Sequence, residues 1–245
     1  MRILVNGACG FMGREVIKLC QEGYRGATLA GGIDPAANSE GIYPDFSSIP
    51  QNVAVDCIVD FSHHACTLPL MTYALEKKLP VVVATTGHTH EELAAIHEAA
   101  KSIPVFFSAN MSLGVALLVE LAKAAAKAMP EADIEIVETH HNRKLDAPSG
   151  TALMLANALQ EVRDNAKPHT GRAGHGKREP EEIGIHAVRV GNVVGIHEVI
   201  VGTQNQTITL KHEAHSRALF AEGGLAAAAF LMDCQPGLYD MKSLI

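Results

Sequence analysis

The feature that most constrains the fold is a short apolar strand at residues 2–6 that runs directly into a glycine-rich turn. The turn has the sequence Gly7-Ala-Cys-Gly10-Phe-Met-Gly13, and an amphipathic run over residues 14–20 follows it. In a strand–turn–helix unit of this kind, backbone N–H groups at the helix start approach a pyrophosphate. The spacing is G-x-x-G-x-x-G rather than the standard G-x-G-x-x-G, so this segment alone also fits an ordinary tight turn.

A second apolar strand, residues 28–33, favours the nucleotide interpretation because it ends in Asp34. In dinucleotide-binding folds, an acid at the tip of the second strand binds the hydroxyls of the adenosine ribose. The alternative for Asp34 is an acid that shapes the turn before Pro35.

The first half of the chain alternates between apolar strands and helical stretches. Strands are predicted at residues 53–61, 80–85 and 104–108, and helices at residues 68–77 and 91–101. Strands this apolar, separated by helices, predict a parallel sheet that is covered on both faces.

Small polar residues follow these strands, at Ser62, at Thr85-Thr86-Gly87 and at Ser108-Ala109-Asn110. Ligands of such sheets bind outside the carboxyl ends of the strands, so we expect the three segments to face one crevice with the glycine-rich turn. Each segment by itself also fits ordinary turn chemistry.

The pattern changes after Asn110. A long helix precedes a strand of alternating character, and three further strands follow an exposed polar loop. The predicted elements are a helix at residues 113–129, strands at 133–139, 184–191, 193–202 and 207–212, a loop at 164–182 and a final helix at 214–232.

Residues 138–152 contain several candidate catalytic and binding side chains close together. Their sequence is Glu-Thr-His-His-Asn-Arg-Lys-Leu-Asp-Ala-Pro-Ser-Gly-Thr-Ala. Two adjacent imidazoles and a lysine amine lie just before a predicted helix start. Pro148 and Ser149, a predicted N-cap, indicate this start. The first N–H groups of a helix have no intrahelical partner and suit a carboxylate or phosphate. The segment therefore predicts proton donors beside an anion-binding site.

Together these elements predict an α/β fold, with an N-terminal Rossmann-type parallel sheet and a second α+β domain that carries a mixed or antiparallel sheet. Residues 1–110 with 214–245 are predicted to form the dinucleotide-binding domain, with the final helix packed back onto the first sheet. Residues 111–213 are predicted to form the substrate-binding and catalytic domain.

Composition limits the partners. The chain has 245 residues, of which 47% are hydrophobic and 19% charged, which is typical of a globular protein. Its net charge of −7 argues against nucleic acid. The alanine-rich runs at residues 115–129 and 225–232 are interrupted by lysines or too short for a bilayer, so no membrane partner is predicted.

Cysteine and histidine spacing gives no metal site. The five cysteines contain no C-x-x-C pair, and we recognise no targeting segment, which together favour reduced thiols in the cytoplasm. His88-Thr-His90 and His212-Glu-Ala-His215 lack both the H-E-x-x-H spacing and an obvious third ligand.

These motifs resemble the family of 4-hydroxy-tetrahydrodipicolinate reductase, formerly called dihydrodipicolinate reductase, of the lysine and diaminopimelate pathway. The resemblance covers nearly the whole chain, and its most specific part is the E-x-H-H-x-x-K-x-D-x-P-S-G-T-A motif. The matching segments are Glu138 to Ala152, Gly7 to Gly13, Thr85 to Gly87, Ala109 to Ser112, Arg189 to His197 and Pro236 to Met241.

The resemblance implies hydride transfer from a reduced nicotinamide to a six-membered cyclic imine that bears two carboxylates, giving tetrahydrodipicolinate. His140 matches the proton donor/acceptor of the family and Lys144 a second proton donor. His141 matches a substrate contact, and Gly150 with Thr151 the pair whose backbone holds a substrate carboxylate. The implied cofactor contacts are Gly7, Ala8, Cys9, Gly10, Phe11, Met12, Asp34, Ala84, Thr85, Thr86, Ser108, Ala109, Asn110 and Met111.

One departure concerns the cofactor. After Asp34 the chain has Pro35 and Ala36, where family members that favour NADPH often carry an arginine for the 2′-phosphate. An acid facing two ribose hydroxyls favours NADH, so NADH or dual use with NADPH is predicted. The resemblance also implies a homotetramer built through the sheet of the second domain.

Three alternatives stay open from the sequence. The chain fits another two-domain Rossmann oxidoreductase that uses NAD(P) and acts on an amino acid or aldehyde. It also fits a non-catalytic module that senses dinucleotides, and a family relative that has lost the preferred substrate. The sequence does not distinguish reduction of the hydroxylated ring from reduction of its dehydrated form.

Overall fold

The computed structural model describes all residues from Met1 to Ile245. The helices, numbered in chain order, are α1 (Phe11–Gln21), α2 (Thr67–Lys77), α3 (His90–Ala99), α4 (Leu113–Ala128), α5 (Gly150–Gln160) and α6 (Ala218–Leu231). The strands are β1 (Arg2–Asn6), β2 (Thr28–Ile33), β3 (Ile42–Tyr43), β4 (Cys57–Asp60), β5 (Val81–Val83), β6 (Pro104–Phe107), β7 (Asp133–His140), β8 (Lys167–Thr170), β9 (Glu182–Arg189), β10 (Gly195–Gly202), β11 (Thr207–Ala214) and β12 (Gly237–Tyr239).

The chain divides into two compact units. The first consists of Met1–Leu113 with Arg217–Ile245, and the second of Gly114–Ser216. Each unit has its own sheet and its own buried core.

The first unit is built on a seven-stranded sheet in the order β12-β6-β5-β4-β1-β2-β3. Every neighbouring pair in this sheet is parallel, as the alternation of apolar strands and helices predicts. The strand order reverses between β1 and β4, and ligands of such sheets bind outside the carboxyl ends of the strands at this point. Helices α2 and α3 pack on each other, and α6 packs against β4, β5 and β6.

The second unit is built on a five-stranded sheet in the order β11-β10-β7-β9-β8. Strand β10 is antiparallel to β7 and β11, whereas β9 is parallel to β7 and β8. The predicted mixed sheet is therefore confirmed. Its buried core is formed by apolar side chains of the sheet and of α4 and α5, including Ile134, Ile136, Val199 and Leu155.

The predicted elements depart from the structure at β4, in the loop at residues 164–182 and at the last helix. β4 begins at Cys57 rather than residue 53, because the carboxylate of Asp56 is already held by the backbone N–H and the guanidinium of Arg2. The predicted loop at residues 164–182 contains β8, whose residues are all exposed and therefore leave no hydrophobic pattern. The last helix begins at Ala218 rather than residue 214, because the ladder between β10 and β11 continues to Ala214.

Gly13 makes the turn after β1 possible. Gly13 is buried on α1, and a Cβ there would lie 2.0 Å from the carbonyl oxygen of Gly7. That contact is with backbone and cannot be relieved by rotating a side chain.

We predict that Gly13→Ala destabilises the protein by about 1–3 kcal/mol, as overpacking usually does. This loss exceeds the helix-propensity gain of about 1 kcal/mol that alanine normally brings over glycine. Urea unfolding measures the change, with Gly176→Ala as the control, since a Cβ at Gly176 meets nothing within 4 Å. Equal stability of the two variants would contradict the close approach.

Candidate active site

The site of the second unit begins with the alternation of β7. Ile134, Ile136, Glu138 and His140 are its buried positions, so a carboxylate and an imidazole continue a row of apolar side chains. Glu138 has no exposed surface at all. A buried carboxylate is costly unless it is paired, so Glu138 requires partners from other elements.

Glu138 has three partners, two of them from other elements. Arg189 of β9 donates to both carboxylate oxygens, at 2.8 and 2.9 Å, and the backbone N–H of Ser149 donates at 3.0 Å. The third partner is Nδ1 of His140, which lies 2.5 Å from Oε2. Burial works against ionisation, but the hydrogen bonds from Arg189 and His140 keep the pKa of Glu138 below its ordinary value.

Nδ1 of His140 is therefore hydrogen-bonded to Glu138, whereas Nε2 is not. Its Nε2 lies over Gly195, where a Cβ would be 3.2 Å away, and its ring meets the ring of His197 edge-on at 5.1 Å between centroids. Burial lowers the pKa of His140, and Glu138 opposes this effect by favouring the imidazolium.

His197 and Ser149 fix the start of α5. Ser149 is the N-cap, and its hydroxyl oxygen accepts the N–H of Ala152 at 3.2 Å, as the sequence predicts. The same hydroxyl is also hydrogen-bonded to Nε2 of His197, 3.1 Å away. Burial, followed by the nearby His140, lowers the pKa of His197 to about 4, so this ring is neutral at physiological pH.

The loop after β7 carries further predicted residues of this unit. Lys144 pairs with Asp146 at 2.8 Å, and this contact holds the pKa of Asp146 below its usual range. The backbone carbonyl of Asp146 accepts from Arg189 at 2.7 Å, which connects the loop to β9. His141 is held through its backbone N–H on the carbonyl of Val193, and its Nδ1 is buried without a partner.

Gly150 and Thr151 form the first turn of α5, directly after the N-cap. A Cβ at Gly150 would meet nothing within 4 Å, so the helix start is open on that side. The structure thus brings His140, Ser149 and the start of α5 together around Glu138.

Three residues of this cluster had no predicted role, namely Glu138, Arg189 and His197. A charged residue at an inward position of β7 is a sequence signal for the first of them. The other two lie on β9 and β10, and their contacts with the cluster form only when the sheet assembles.

The glycine-rich turn lies in the first unit, at the carboxyl end of β1. Gly7 has a φ of +82°, and a Cβ there would lie 2.7 Å from the carbonyl oxygen of Phe61. The N-cap of α1, Gly10, has no side-chain cap, and the first turn contains no acidic residue. No acidic side chain of the chain's own first helical turn therefore offsets the positive end of the α1 dipole, which suits a bound anion.

Asp34 holds the turn in place. One carboxylate oxygen accepts the backbone N–H of Cys9 at 2.9 Å, and the other accepts the N–H of Ala36 at 2.9 Å. Asp34 therefore shapes the turn, and it also lines the adjacent cleft, while its role toward a ribose stays a prediction.

That cleft has a volume of about 440 Å³. It includes Gly7, Gly10 and Asp34 of the predicted cofactor residues, together with residues 61–63 after β4. A larger groove of about 1090 Å³ runs along α2, and none of the predicted cofactor residues lines it.

The other predicted cofactor residues differ in exposure. The side chains of Ala8, Thr85 and Met111 are buried, whereas Phe11 is 60% exposed and lies under the guanidinium of Arg217 at 5.0 Å. The half-buried positions are Cys9, Met12, Ala84, Ser108 and Asn110, and the exposed ones are Thr86 and Ala109.

A buried carboxyl group lies beneath this cleft. Asp60, at the end of β4, accepts from the amide of Asn6 at 2.8 Å and from the hydroxyl of Ser62 at 2.5 Å. Burial raises the pKa of Asp60, while these hydrogen bonds favour its ionised form. The group ties together the carboxyl ends of β1 and β4, where the strand order reverses.

Family models match both parts of the chain. Residues 1–111 match the N-terminal model of dihydrodipicolinate reductase, and residues 114–245 match its C-terminal model. The chain belongs to the dihydrodipicolinate reductase family.

Two relatives show how much of the chain the family covers. The 4-hydroxy-tetrahydrodipicolinate reductase of Caldanaerobacter subterraneus subsp. tengcongensis is 45% identical, over 100% of this chain and 98% of its own length. The enzyme of the same name from Clostridium tetani is 42% identical, over 100% of this chain and 97% of its own length.

A solved structure shares the fold. The dipicolinate-bound dihydrodipicolinate reductase from Paenisporosarcina sp. TG-14 superposes with a TM-score of 0.84 at 23% identity, covering 100% of this chain and 99% of that one. The present chain contains no group of three or more His, Cys, Asp or Glu side chains placed to hold a metal ion. None of its helices is long and apolar enough to cross a membrane.

We predict that Ser149→Ala destabilises the protein by about 2–3 kcal/mol. About 1 kcal/mol comes from the lost N-cap, and the rest from leaving buried Nε2 of His197 without a partner. Thr89→Ala is the matched control, since Thr89 caps α3 through Glu92 and contacts no buried histidine. Urea unfolding should give the control a loss of only about 1 kcal/mol; equal losses would show that the bond to His197 contributes nothing.

Proposed function

We propose that this chain catalyses the NAD(P)H-dependent reduction of the cyclic imine derived from 4-hydroxy-tetrahydrodipicolinate to tetrahydrodipicolinate, in lysine and diaminopimelate biosynthesis. The observation that carries the proposal is the His140–Glu138 pair beside the start of α5, within a motif of the family. A proton donor next to an anion-binding helix start suits a substrate that must gain a proton while its carboxylates are held.

The residues of the first unit fit a dinucleotide. Gly7 and Gly10 leave the backbone bare at the uncapped start of α1, where a pyrophosphate would be held. Asp34 would accept the ribose hydroxyls, since each carboxylate oxygen has a second lone-pair site beyond the N–H group it already binds. Reduced nicotinamide, when bound, supplies the hydride.

His140 then handles the proton. Hydride addition leaves an electron-rich, enamine-type product, and a proton delivered to carbon completes the two-electron reduction of one double bond. With Nδ1 on Glu138, the nitrogen that can deliver this proton is Nε2. Two substrate carboxylates near the ring favour the imidazolium and would raise the pKa of His140, which burial lowers in the free protein.

The dicarboxylate would be held by groups around His140. We assign one substrate carboxylate to the backbone of Gly150 and Thr151 at the start of α5. The ammonium of Lys144 would make a charge-assisted contact with the dicarboxylate. His141 is the third substrate residue. The dipicolinate bound to the Paenisporosarcina reductase is likewise a ring with two carboxylates, which supports this substrate class.

We further propose that the protein is a homotetramer of the cytoplasm. The face of the second sheet opposite α4 and α5 carries half-buried Val137, Ile196 and Ile200, a surface suited to a second copy of the chain. All five cysteines are free thiols, in keeping with a reducing compartment. Sedimentation velocity tests the assembly, and a monomer would contradict it.

The experiment that tests the function couples the protein to dihydrodipicolinate synthase and follows the absorbance of NADH and NADPH separately. Consumption that depends on the synthase product is the expected result. NADH consumption with an amino-acid precursor or an aldehyde, and none with the cyclic imine, would favour the alternative oxidoreductase. Binding of NADH without any turnover would favour a sensing module.

The cofactor preference is predicted to follow Asp34, with NADH favoured or both cofactors used. Asp34→Ala removes contacts to the ribose hydroxyls and also lifts the repulsion of a 2′-phosphate. We expect kcat/KM for NADH to fall at least about tenfold more than kcat/KM for NADPH, the size of one lost charge-assisted hydrogen bond. Loss of the bond to Cys9 weakens both cofactors, so the ratio is the measurement, and an unchanged ratio would make Asp34 purely structural.

The two proton-handling residues give a second kinetic prediction. His140→Ala should lower kcat by about 10²–10⁴-fold, the usual size of a general acid–base contribution. Lys144→Ala removes a fixed charge, so it should lower kcat and raise KM together. The matched control is Lys123→Ala, which breaks the Lys123–Glu161 pair between α4 and α5 and should leave both constants unchanged.

NADH titration without substrate completes this test, because the dinucleotide is assigned to the other unit. Both variants should bind NADH normally. A His140→Ala enzyme with near-normal kcat would leave only a binding role for this histidine.

A further inference from the structure

One buried carboxylate touches both halves of the substrate site. Oε2 of Glu138 lies 2.5 Å from Nδ1 of His140, while Oε1 accepts the backbone N–H of Ser149 at 3.0 Å. Ser149 is the N-cap of α5. The same side chain therefore contacts the proposed proton donor and the helix start assigned to a substrate carboxylate.

We propose that Glu138 is a positioning residue that fixes the tautomer of His140 and the start of α5 together, with Arg189 holding the carboxylate in place. This inference rests on the proposed function for its catalytic meaning, although its structural content can be measured without turnover. Glu138 itself, with no exposed surface, does not contact the substrate.

The tautomer follows from the partners of the carboxylate. Glu138 already accepts from two nitrogens of Arg189 and from the Ser149 amide, so it is ionised and can only accept. Nδ1 of His140 must then carry a hydrogen in both charge states of the ring. The proton that comes and goes is the one on Nε2, the nitrogen left for substrate.

Four groups from four elements face His140, and three of them bias its charge. Glu138 on β7 favours the imidazolium, whereas Arg189 on β9 and Lys144 in the following loop disfavour it. His197 on β10 meets the ring edge-on and stays neutral. Removing Glu138 or Arg189 should therefore shift the titration of His140 in opposite directions.

Opposite shifts of the His140 pKa in the two variants would distinguish a positioning role of Glu138 from a general role in stabilising the fold. A loosened fold would expose His140 in either variant and move its pKa the same way. We test it with Glu138→Gln and Arg189→Gln, following the His140 ring by ¹⁵N NMR and assigning its signals with His140→Asn. The matched control is Glu135→Gln, on the same strand but paired with Arg178 and His186 instead.

The wild-type ring should be neutral with its hydrogen on Nδ1 at high pH. Glu138→Gln should lower the pKa of His140 by about one unit or more, the usual effect of an opposite charge in contact, and should mix the tautomers. Arg189→Gln should raise the pKa, and Glu135→Gln should leave it unchanged. A wild-type hydrogen on Nε2, or shifts in the same direction for both variants, would overturn the proposal.

Ligand binding tests the second contact of Glu138. Calorimetry with pyridine-2,6-dicarboxylate should show at least about tenfold weaker binding to Glu138→Gln than to Glu135→Gln, the size of one lost hydrogen bond to a charged group. Equal affinities would remove the role at α5. If Glu138→Gln fails to fold, the wild-type ¹⁵N spectrum still decides the tautomer role, because a hydrogen on Nε2 of His140 at high pH contradicts it.

Turnover distinguishes this inference from the proposed function. Glu138→Gln should shift the descending limb of the kcat/KM pH profile to lower pH, since a proton donor is active below its pKa. Reductase activity with unshifted NMR titrations would refute the positioning role alone. If the variants show the predicted pKa shifts but the wild-type protein has no reductase activity, the proposed function alone is refuted.

Discussion

The ion pair between Arg189 and Glu138 is the interaction on which the second unit depends. Removing one partner of a buried pair typically costs about 3–5 kcal/mol, a large share of the roughly 5–15 kcal/mol that stabilises a typical domain. Arg189 lies on β9, Glu138 on β7, and the Ser149 amide that shares the carboxylate begins α5. Three elements are thus joined at one side chain, and the proposed catalytic ring is its third partner.

The two proposed binding sites are built in opposite ways. Around the turn after β1, no side chain caps the start of α1, and Gly7 and Gly13 have no room for a Cβ. Around His140, charged side chains are packed against one another and held by hydrogen bonds. The first arrangement tolerates little added volume, whereas the second tolerates little change in charge.

Local patterns in the sequence predicted the parallel sheet, the mixed sheet and the N-cap at Ser149, because strand period, turn residues and caps each leave a local signal. They did not predict β8, whose exposed residues pair only through the backbone. Nor could they pair Glu138 with Arg189, which is 51 residues away and becomes adjacent only when β7 and β9 align. Spacing rules do not reach contacts of this kind.

The bonds of Asp34 to Cys9 and Ala36 have a consequence for the evolution of this site. The side chain that would discriminate between the two nucleotides also braces the turn that would bind their common pyrophosphate. On the proposed function, loss of the acid would harm recognition of either nucleotide before it could improve recognition of one. A lineage changing its preference has an easier route by adding a cation at position 35 or 36, next to an unaltered Asp34, than by replacing the acid.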